Sequence, residues 1–199
     1  MITATAAKIV WFLGIVGWFV IRYPFQRRAR HLGIVRSTSG IGDRVALIIA
    51  SAGQFIVPAL YVAVSLGAGQ PLPGDYSFHP VQGWLGVATL VAALVLFRVT
   101  HKQLGRNWSV TLETRTEHKL VTDGVYAWVR HPMYTSFLLS AIAQALLLPN
   151  WVAGPAGLVG FAVLFFSRAG REEALMIDAF GDGYRDFMRR TARIVPWVY

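Results

Sequence analysis

The sequence contains no cysteine and little charge. Among its 199 residues, Asp, Glu, Lys and Arg together make up 15%, whereas about a quarter of the residues of an average soluble domain are charged. The lack of cysteine excludes disulfides, thiol nucleophiles and thiolate metal sites. The low charge, together with a hydrophobic fraction of 55%, argues against an ordinary water-soluble domain.

Acidic residues are the scarcer charged class. The chain has 10 Asp and Glu against 19 Lys and Arg, which gives a formal net charge of +9. A basic protein can bind nucleic acid, but here the cations flank apolar blocks, where they set membrane orientation and attract anionic lipid head groups. We therefore expect the membrane lipid bilayer as a partner and no nucleic acid.

Long apolar runs are what the sequence has in abundance. Five blocks are candidate membrane spans: 4–21, which only Lys8 interrupts, 45–66, 81–97, 133–148 and 151–167. Backbone groups in lipid must be satisfied within the segment, so each block must be helical. The sequence thus predicts an all-α, polytopic integral membrane protein with five transmembrane helices. We expect the last two, joined by the turn Pro149-Asn150, to form a short spanning hairpin, with a re-entrant pair as the alternative.

The basic residues indicate how these spans are oriented. All Lys and Arg residues except Lys8 fall between blocks one and two, between blocks three and four, or after block five. The connections 67–80 and 149–150 contain none. The positive-inside rule then places the N-terminus outside and the C-terminus in the cytoplasm. Because an arginine cluster follows the first block and no small-residue cleavage pattern does, we expect an anchor there and not a cleaved signal peptide.

The spans divide the chain into two regions. Residues 1–97 form the N-terminal membrane helices, and residues 98–199 comprise a cytoplasmic loop, the hairpin and a C-terminal segment. The polar stretches 98–132 and 168–199 flank the two open ends of the hairpin on the same face of the membrane. They should therefore be close in space and form one composite cytoplasmic site.

The tail after the fifth block is predicted to be helical in two pieces. Leu175 and Phe180 lie on one helical face of the first piece. Gly181 and Gly183 are expected to break it. The second piece carries apolar residues beside arginines, so we expect it to lie along the membrane interface with its arginines in the head-group layer.

The sequence VYAWVRHPMYTS, residues 125–136, leads into the fourth block. Pro132 suits the first position of a helix, and it disfavours a helical backbone at His131. We therefore expect His131 at the cap of the fourth span, where free N–H groups and the helix dipole attract carboxylates and phosphates. The alternative is structural, with Arg130 extending to lipid head groups and Trp128 joining an interfacial aromatic belt.

A second polar cluster follows the fifth block in the sequence FFSRAGREEALM. Arg168 and Glu172 are four residues apart, so they share one helical face. A surface ion pair contributes little to stability. Ionisable groups at membrane depth, however, usually have a functional reason, and Glu172 and Glu173 stand next to the end of a span. The residues alone leave both interpretations open.

The two clusters together resemble a known family. The stretch HKLVTDGVYAWVRHPMY, an apolar stretch, then REEALMIDAFGDGYRDF and a late Pro196 resemble the isoprenylcysteine carboxyl methyltransferases and the related membrane phospholipid methyltransferases. The resemblance covers residues 104–196, about half of the chain. It implies a bundle of membrane helices that holds S-adenosylmethionine in a pocket capped by the C-terminal segment.

The resemblance also implies roles for individual residues. The cofactor would contact His118, Lys119, Leu120, Val121, Tyr126, His131, Pro132, Met133 and Tyr134, and Glu172 would meet its ammonium group. Arg168 matches the substrate-contacting arginine of the family. If the acceptor is an amine or a thiol, His131 or Glu173 is a candidate base, because such a nucleophile must lose a proton. A carboxylate acceptor needs no base, and no metal is expected.

The identity of the methyl acceptor stays open. Ser136 and Thr111 stand where relatives that act on prenylated cysteine commonly have Gly and Gln. The acceptor could be a prenylated or other lipophilic molecule methylated on oxygen, nitrogen or sulfur, and the oligomeric state is equally open. Two other functions remain as alternatives: an NADPH-dependent membrane sterol or steroid reductase, and a non-enzymatic scaffold or transporter subunit.

Overall fold

The structure, a computed structural model, describes residues 1–29, 34–37, 40–105, 113–115 and 120–198. The elements follow one another in this order: α1 (Ala4–Ala29), β1 (Ile34–Ser37), α2 (Ile41–Ser51), a π-helical segment (Ala52–Ile56), α3 (Val57–Ala68), α4 (Pro80–Leu104), β2 (Glu113–Arg115), a 3₁₀ helix (Gly124–Ala127), α5 (Pro132–Leu147), α6 (Ala156–Phe180) and α7 (Asp182–Arg190).

The fold is a helical bundle with one short β-ribbon. Strands β1 and β2 pair antiparallel, with Ile34 opposite Arg115 and Ser37 opposite Glu113. The prediction of an all-α fold is therefore confirmed for the bundle. The β-ribbon is the one described part of the chain that departs from it. The two strands are four and three residues long, too short for the alternation of apolar and polar residues that would predict a strand from sequence.

Three helices among the described residues are long and apolar enough to cross a membrane: Ala4–Arg27, Ile41–Ala68 and Pro80–Leu104. They coincide with the first three predicted blocks, and integral membrane character is supported on this basis. Helix α5 has 16 residues and rises about 24 Å, less than the roughly 30 Å of a hydrocarbon core. The count of five spans is therefore not confirmed and stays a prediction.

The second predicted block is one helix with a widened turn. Residues 52–56 are π-helical and directly precede α3, whose second residue is Pro58. Proline lacks the N–H that would bond to the carbonyl four residues earlier, and its ring crowds that carbonyl. A π-turn relieves this crowding. At the widened turn Gly53 lies so close to α6 that an added Cβ would be 2.2 Å from the carbonyl oxygen of Ala156.

The connection between α5 and α6 is longer than the predicted two-residue turn. Helix α6 begins at Ala156, so residues 151–155, expected as the start of the fifth span, form turns. Asn150 organises them, because its side-chain oxygen accepts from the amides of Val152 and Ala153 at 3.0 Å. Its side-chain nitrogen donates to Asp75 at 2.8 Å. The loop before α4 and the hairpin turn are thereby held together at one end of the bundle.

Helix α6 continues well past the fifth apolar block. It runs without a break to Phe180, so the first piece of the predicted tail is an extension of the fifth block and not a separate helix. The predicted break occurs at Gly181, which has a φ of 56°, whereas Gly183 lies inside α7. Helix α4 likewise continues through the predicted boundary between residues 97 and 98. The division into two regions stays a prediction.

Candidate active site

The start of α5 has the local structure that its sequence predicts. His131 is the N-cap residue and Pro132 occupies the first turn of the helix, where its missing N–H is not needed. The preceding 3₁₀ helix begins at Gly124, whose φ of 57° is readily adopted by glycine. The side-chain oxygen of Gln103 on α4 accepts from the amide of Val125 at 3.2 Å. The entrance to α5 is thereby fixed against the end of α4.

A segment after α7, residues 191–198, crosses the start of α5, and we name it the strap. The amides of Arg130 and His131 donate to the carbonyls of Ala192 and Arg193 at 2.9 and 3.0 Å. Farther along, the hydroxyl of Thr135 donates to the carbonyl of Ile194 at 2.7 Å. These bonds satisfy polar groups around the first turn of α5 and bring the C-terminal residues to the same place as His131.

Glu173 is the centre of a buried ion cluster under the strap. Its side chain is 5% exposed. Arg130 on the α5 side lies 2.6 Å from its carboxylate, and Arg193 on the strap contacts both carboxylate oxygens, at 3.0 and 2.6 Å. Nε2 of His131 lies 3.2 Å from the same carboxylate. One carboxylate on α6 therefore joins α5 and the strap.

The electrostatics of this cluster keep Glu173 ionised. Burial by itself would raise the pKa of this carboxyl group, but the hydrogen bonds from His131, Arg193 and Arg130 outweigh it. The pKa of Glu173 is consequently held well below its usual range. A carboxylate so fully paired has little capacity to accept a further proton near neutral pH.

Glu172, its neighbour on α6, has a different environment. Its side chain is 28% exposed and accepts a hydrogen bond from the hydroxyl of Tyr134 at 2.8 Å. Nδ1 of His131 and Nη2 of Arg168 each lie 3.7 Å from its oxygens. Successive residues of a helix point about 100° apart, which explains why Glu173 faces the strap while Glu172 faces an accessible space. Glu172 is therefore the carboxylate of the site that a ligand can reach.

Arg168 lies one turn earlier on α6 and is buried. Its Nε is 2.9 Å from the carboxylate of Asp43, in the first turn of α2, and Asp43 is itself 1% exposed. Arg171 reaches the same carboxylate at 3.8 Å. The site thus includes a residue from the N-terminal helices. Asp43 was not predicted as a site residue, although an acid just before an apolar block, at the same end of its predicted span as Arg168, was a usable signal.

An apolar cluster lies beside these charged residues. Tyr126, Tyr184 and Phe187 are buried in it, and two predicted cofactor contacts, Leu120 and Val121, pack against it. Burial, followed by the negative charge of Glu172, raises the pKa of Tyr126, so this phenol stays protonated. The other two residues of that stretch, His118 and Lys119, lie outside the described residues.

The predicted residues are thus brought together in two adjoining groups. His131, Tyr134, Arg168, Glu172 and Glu173 are linked by polar contacts into one group. The second group is the apolar cluster around Tyr126. Pro132 is buried at the start of α5. Met133 is half-buried, and its backbone carbonyl accepts a hydrogen bond from the hydroxyl of Ser136 at 2.7 Å. Among the residues that the structure describes, no group of three or more His, Asp and Glu side chains could hold a metal ion.

A cavity of about 130 Å³ lies inside the bundle next to this site. Its lining is mainly apolar and aromatic and includes Trp18 of α1 and Leu164 of α6, with Gln54 as one of its polar members. Phe137 separates it from the charged residues, since its ring lines the cavity and its centroid is 6.2 Å from that of Tyr134. The apolar cavity and the charged residues are therefore separated by the packed rings of Phe137 and Tyr134.

Comparison with known proteins agrees with the predicted resemblance. The model of the isoprenylcysteine carboxyl methyltransferase (ICMT) family matches residues 84–178. The protein-S-isoprenylcysteine O-methyltransferase of Schizosaccharomyces pombe is 34% identical over 98 residues, which are 48% of this chain and 42% of that protein. Protein-S-isoprenylcysteine O-methyltransferase B of Arabidopsis thaliana is 31% identical over 119 residues, which are 57% of this chain and 58% of that protein.

A solved structure shares the fold. The eukaryotic intramembrane Ras methyltransferase ICMT superposes with a TM-score of 0.55 and 25% sequence identity, covering 78% of this chain and 52% of that one. The chain spans about half the length of the curated relatives it matches. The resemblance to this family, drawn from the motifs, is confirmed, and it extends beyond residues 84–178 at the level of the fold.

Proposed function

We propose that this chain is an integral membrane methyltransferase that uses S-adenosylmethionine to methylate a lipophilic acceptor, as the names of its relatives indicate for isoprenylcysteine. The observation that carries the proposal is the position of Glu172. It is a partly exposed carboxylate that accepts a hydrogen bond from Tyr134, whose ring packs against Phe137 in the wall of the apolar cavity. The family match covers this residue and its partner.

The residues present fit such a cofactor. Glu172 offers a carboxylate for an ammonium group, and the cluster around Tyr126 offers an apolar and aromatic surface for a planar base. We assign cofactor contacts to Glu172, Tyr126, Leu120, Val121 and the start of α5 from His131 to Tyr134, with His118 and Lys119 as further candidates. When bound, S-adenosylmethionine supplies a methyl group on a sulfonium, already activated for displacement.

The protein's own part is mainly orientation, because a preactivated methyl group needs an aligned nucleophile more than an acid or a base. Both ring nitrogens of His131 face carboxylates, and Glu173 is fully paired. We therefore assign both residues to positioning the start of α5 and the strap, in preference to the role of base. This assignment favours an acceptor that needs no deprotonation in the site, namely a carboxylate.

Arg168 is the candidate contact for that carboxylate. It lies one helical turn from Glu172, and its Nη2 is 3.7 Å from the Glu172 carboxylate. Its Nε is held by the carboxylate of Asp43 at 2.9 Å. Its Nη2 lies on the Glu172 side, which is the accessible side of the site. A charge-assisted hydrogen bond from this guanidinium would hold an acceptor carboxylate beside the cofactor.

The membrane arrangement supports the same reaction. The positive-inside rule applied to the basic connections supports a site on the cytoplasmic face, where a water-soluble methyl donor is available, with the N-terminus outside. The apolar cavity is walled by residues of the membrane helices, including Trp18 of α1 and Leu90 of α4, and this lining suits a lipid-soluble group. A site at this boundary allows a soluble donor and a lipid acceptor to meet without either one crossing the bilayer.

The test is calorimetric titration of S-adenosylhomocysteine into the detergent-purified protein, with NADPH titrated in parallel. We expect micromolar binding of S-adenosylhomocysteine alone, weakened at least tenfold in Glu172→Gln. The matched control is Asp182→Asn, which removes an exposed carboxylate on α7 and should leave binding unchanged. Binding of NADPH alone would establish the reductase alternative, and no binding of either ligand to folded protein would favour a non-enzymatic role.

The acceptor is tested with a labelled methyl donor. An isoprenylated cysteine derivative with a free carboxylate should be methylated, whereas its methyl ester should not. If the ester accepts label as well, methylation is not on that carboxylate. Labelling of an aminophospholipid in place of the cysteine derivative would assign the chain to lipid N-methylation.

A further inference from the structure

An exposed apolar patch lies where the strap meets the segment before α5, close to the site but outside it. It consists of Trp128, Val195, Trp197 and Val198. The two tryptophans are 56% and 86% exposed, and their rings meet edge to face with centroids 5.3 Å apart. Two large aromatic side chains exposed side by side mark an interaction surface rather than ordinary surface apolarity.

The backbone presents this patch outward. Trp197 has a φ of 62°, the one positive φ outside glycine among the described residues. This conformation is unfavourable for an L-residue with a large side chain. It places Trp197 over Trp128 on the surface while Ile194, three residues earlier, is buried against Tyr134 and Phe165. The strap therefore has an inner apolar anchor in the protein and an outer apolar patch without a partner in the described chain.

The surroundings of the patch indicate a lipid partner. The strap begins directly after α7, whose last turn exposes Arg189 and Arg190. On α6, Phe166 is 77% exposed and is the residue before Ser167, where the apolar block of this helix ends. Tryptophan is enriched where hydrocarbon meets head groups, and arginine pairs with lipid phosphates there. The patch and the residues just before the strap thus combine exposed aromatic, aliphatic and cationic side chains, the composition typical of a membrane interface.

We propose that the patch docks into the interfacial layer of the bilayer, and that this docking holds the strap over the site. The strap supplies the carbonyls that accept from Arg130 and His131, and it carries the guanidinium of Arg193 that contacts Glu173. Withdrawal of the strap would separate Arg193 from Glu173 and free the amides of Arg130 and His131, which directly precede α5. The bilayer is therefore a structural partner of the site, independently of which reaction the site performs.

The first test measures the depth of the patch. Because the chain has no cysteine, Val198→Cys provides a single attachment point for a nitroxide in protein reconstituted into lipid nanodiscs. We expect this label to be relaxed more by oxygen than by a water-soluble nickel chelate. Asp182→Cys, at a residue whose side chain is 91% exposed on α7, is the matched control and should show the opposite preference.

Two results of this measurement would overturn the proposal. If the label at residue 198 shows the same aqueous accessibility as the label at residue 182, the patch does not contact lipid. If it is immobile and shielded from both relaxing agents, protein covers the patch, either a second copy or another segment of the chain.

The second test measures the coupling between docking and the strap. In nanodiscs, Trp197→Ala should accelerate amide hydrogen exchange at Arg130 and His131 at least tenfold, because their acceptors lie on the strap. Trp151→Ala removes an exposed tryptophan at the opposite end of α5 and should leave exchange at both amides unchanged. Equal acceleration in both variants would indicate general loosening and overturn the coupling, as would no acceleration in Trp197→Ala.

Discussion

The carboxylate of Asp43 lies 2.9 Å from Nε of Arg168, joining the first turn of α2 to the polar part of α6. Asp43 falls outside residues 84–178, the region that matches the family. The pair shows that Arg168 is held from the N-terminal helices and is not a surface arginine free to move. Its availability to a substrate therefore depends on a residue that the motifs do not include.

Arg168→Ala should destabilise the protein as well as impair methyl transfer. The change removes the 2.9 Å partner of Asp43, which is 1% exposed, and leaves it the longer contact to Arg171 at 3.8 Å. Removing one partner of a buried ion pair costs about 3–5 kcal/mol. We expect a clear fall in the thermal unfolding midpoint in detergent. Arg168→Ala combined with Asp43→Asn should recover much of that loss. If the double variant is less stable than Arg168→Ala, the two side chains are not a compensating pair.

The two adjacent glutamates should respond differently to the same change. Glu173→Gln removes the charge that pairs with Arg130 and Arg193, so we expect a loss of about 3 kcal/mol in the free energy of unfolding. Glu172→Gln, at a partly exposed position, should change stability much less and instead weaken binding of S-adenosylhomocysteine. Thermal unfolding and calorimetry on both variants separate the two effects. Equal behaviour of both variants would contradict the division of roles.

The contribution of Glu173 should depend on pH in a defined direction. Its folded-state pKa lies below the unfolded value, so its contribution to stability is complete above the unfolded value of about 4.3 and is lost as pH falls below it. The difference in unfolding temperature between wild type and Glu173→Gln should therefore be largest at pH 7 and shrink below about pH 4. A difference that stays constant down to pH 3 would mean that the carboxylate charge is not what stabilises the cluster.

Gly53→Ala should disrupt the packing of the widened helical turn against α6. The added Cβ would lie 2.2 Å from the backbone oxygen of Ala156, which cannot move without shifting α6. Overpacking of this kind costs about 1–3 kcal/mol. Gly67→Ala in α3 is the control, because nothing lies within 4 Å of its added Cβ and alanine is the better helix former. Similar unfolding temperatures for both variants would show that the close approach is relaxed in the protein.

Local features of the site could be predicted from the sequence, and distant pairings could not. Pro132 and His131 define the start of α5 because the constraint acts between neighbours. The pairing of Glu173 with Arg193 depends on how the chain returns after Gly181, and the pairing of Arg168 with Asp43 depends on how α2 packs against α6. Apolar blocks in a membrane protein indicate helices, but they do not indicate which helices touch.

The extent of the helices shows the same limit. The apolar block ends near Ser167, so the sequence placed the end of the fifth span there, yet α6 continues to Phe180. The polar residues beyond the block form helix as readily as the apolar ones, and only Gly181, with a positive φ, ends it. Hydropathy marks where lipid ends, and it does not mark where a helix ends.

The uninterrupted course of α6 restricts how the protein can vary in length. One inserted or deleted residue between Gly160, which packs against the backbone of α2, and Glu173 would turn everything beyond it by about 100° around the helix axis. Glu172 and Glu173 would then lose their partners together, while the residues before the change kept theirs. Among homologous chains, we therefore expect insertions and deletions to be absent from this stretch even where its apolar residues are freely exchanged.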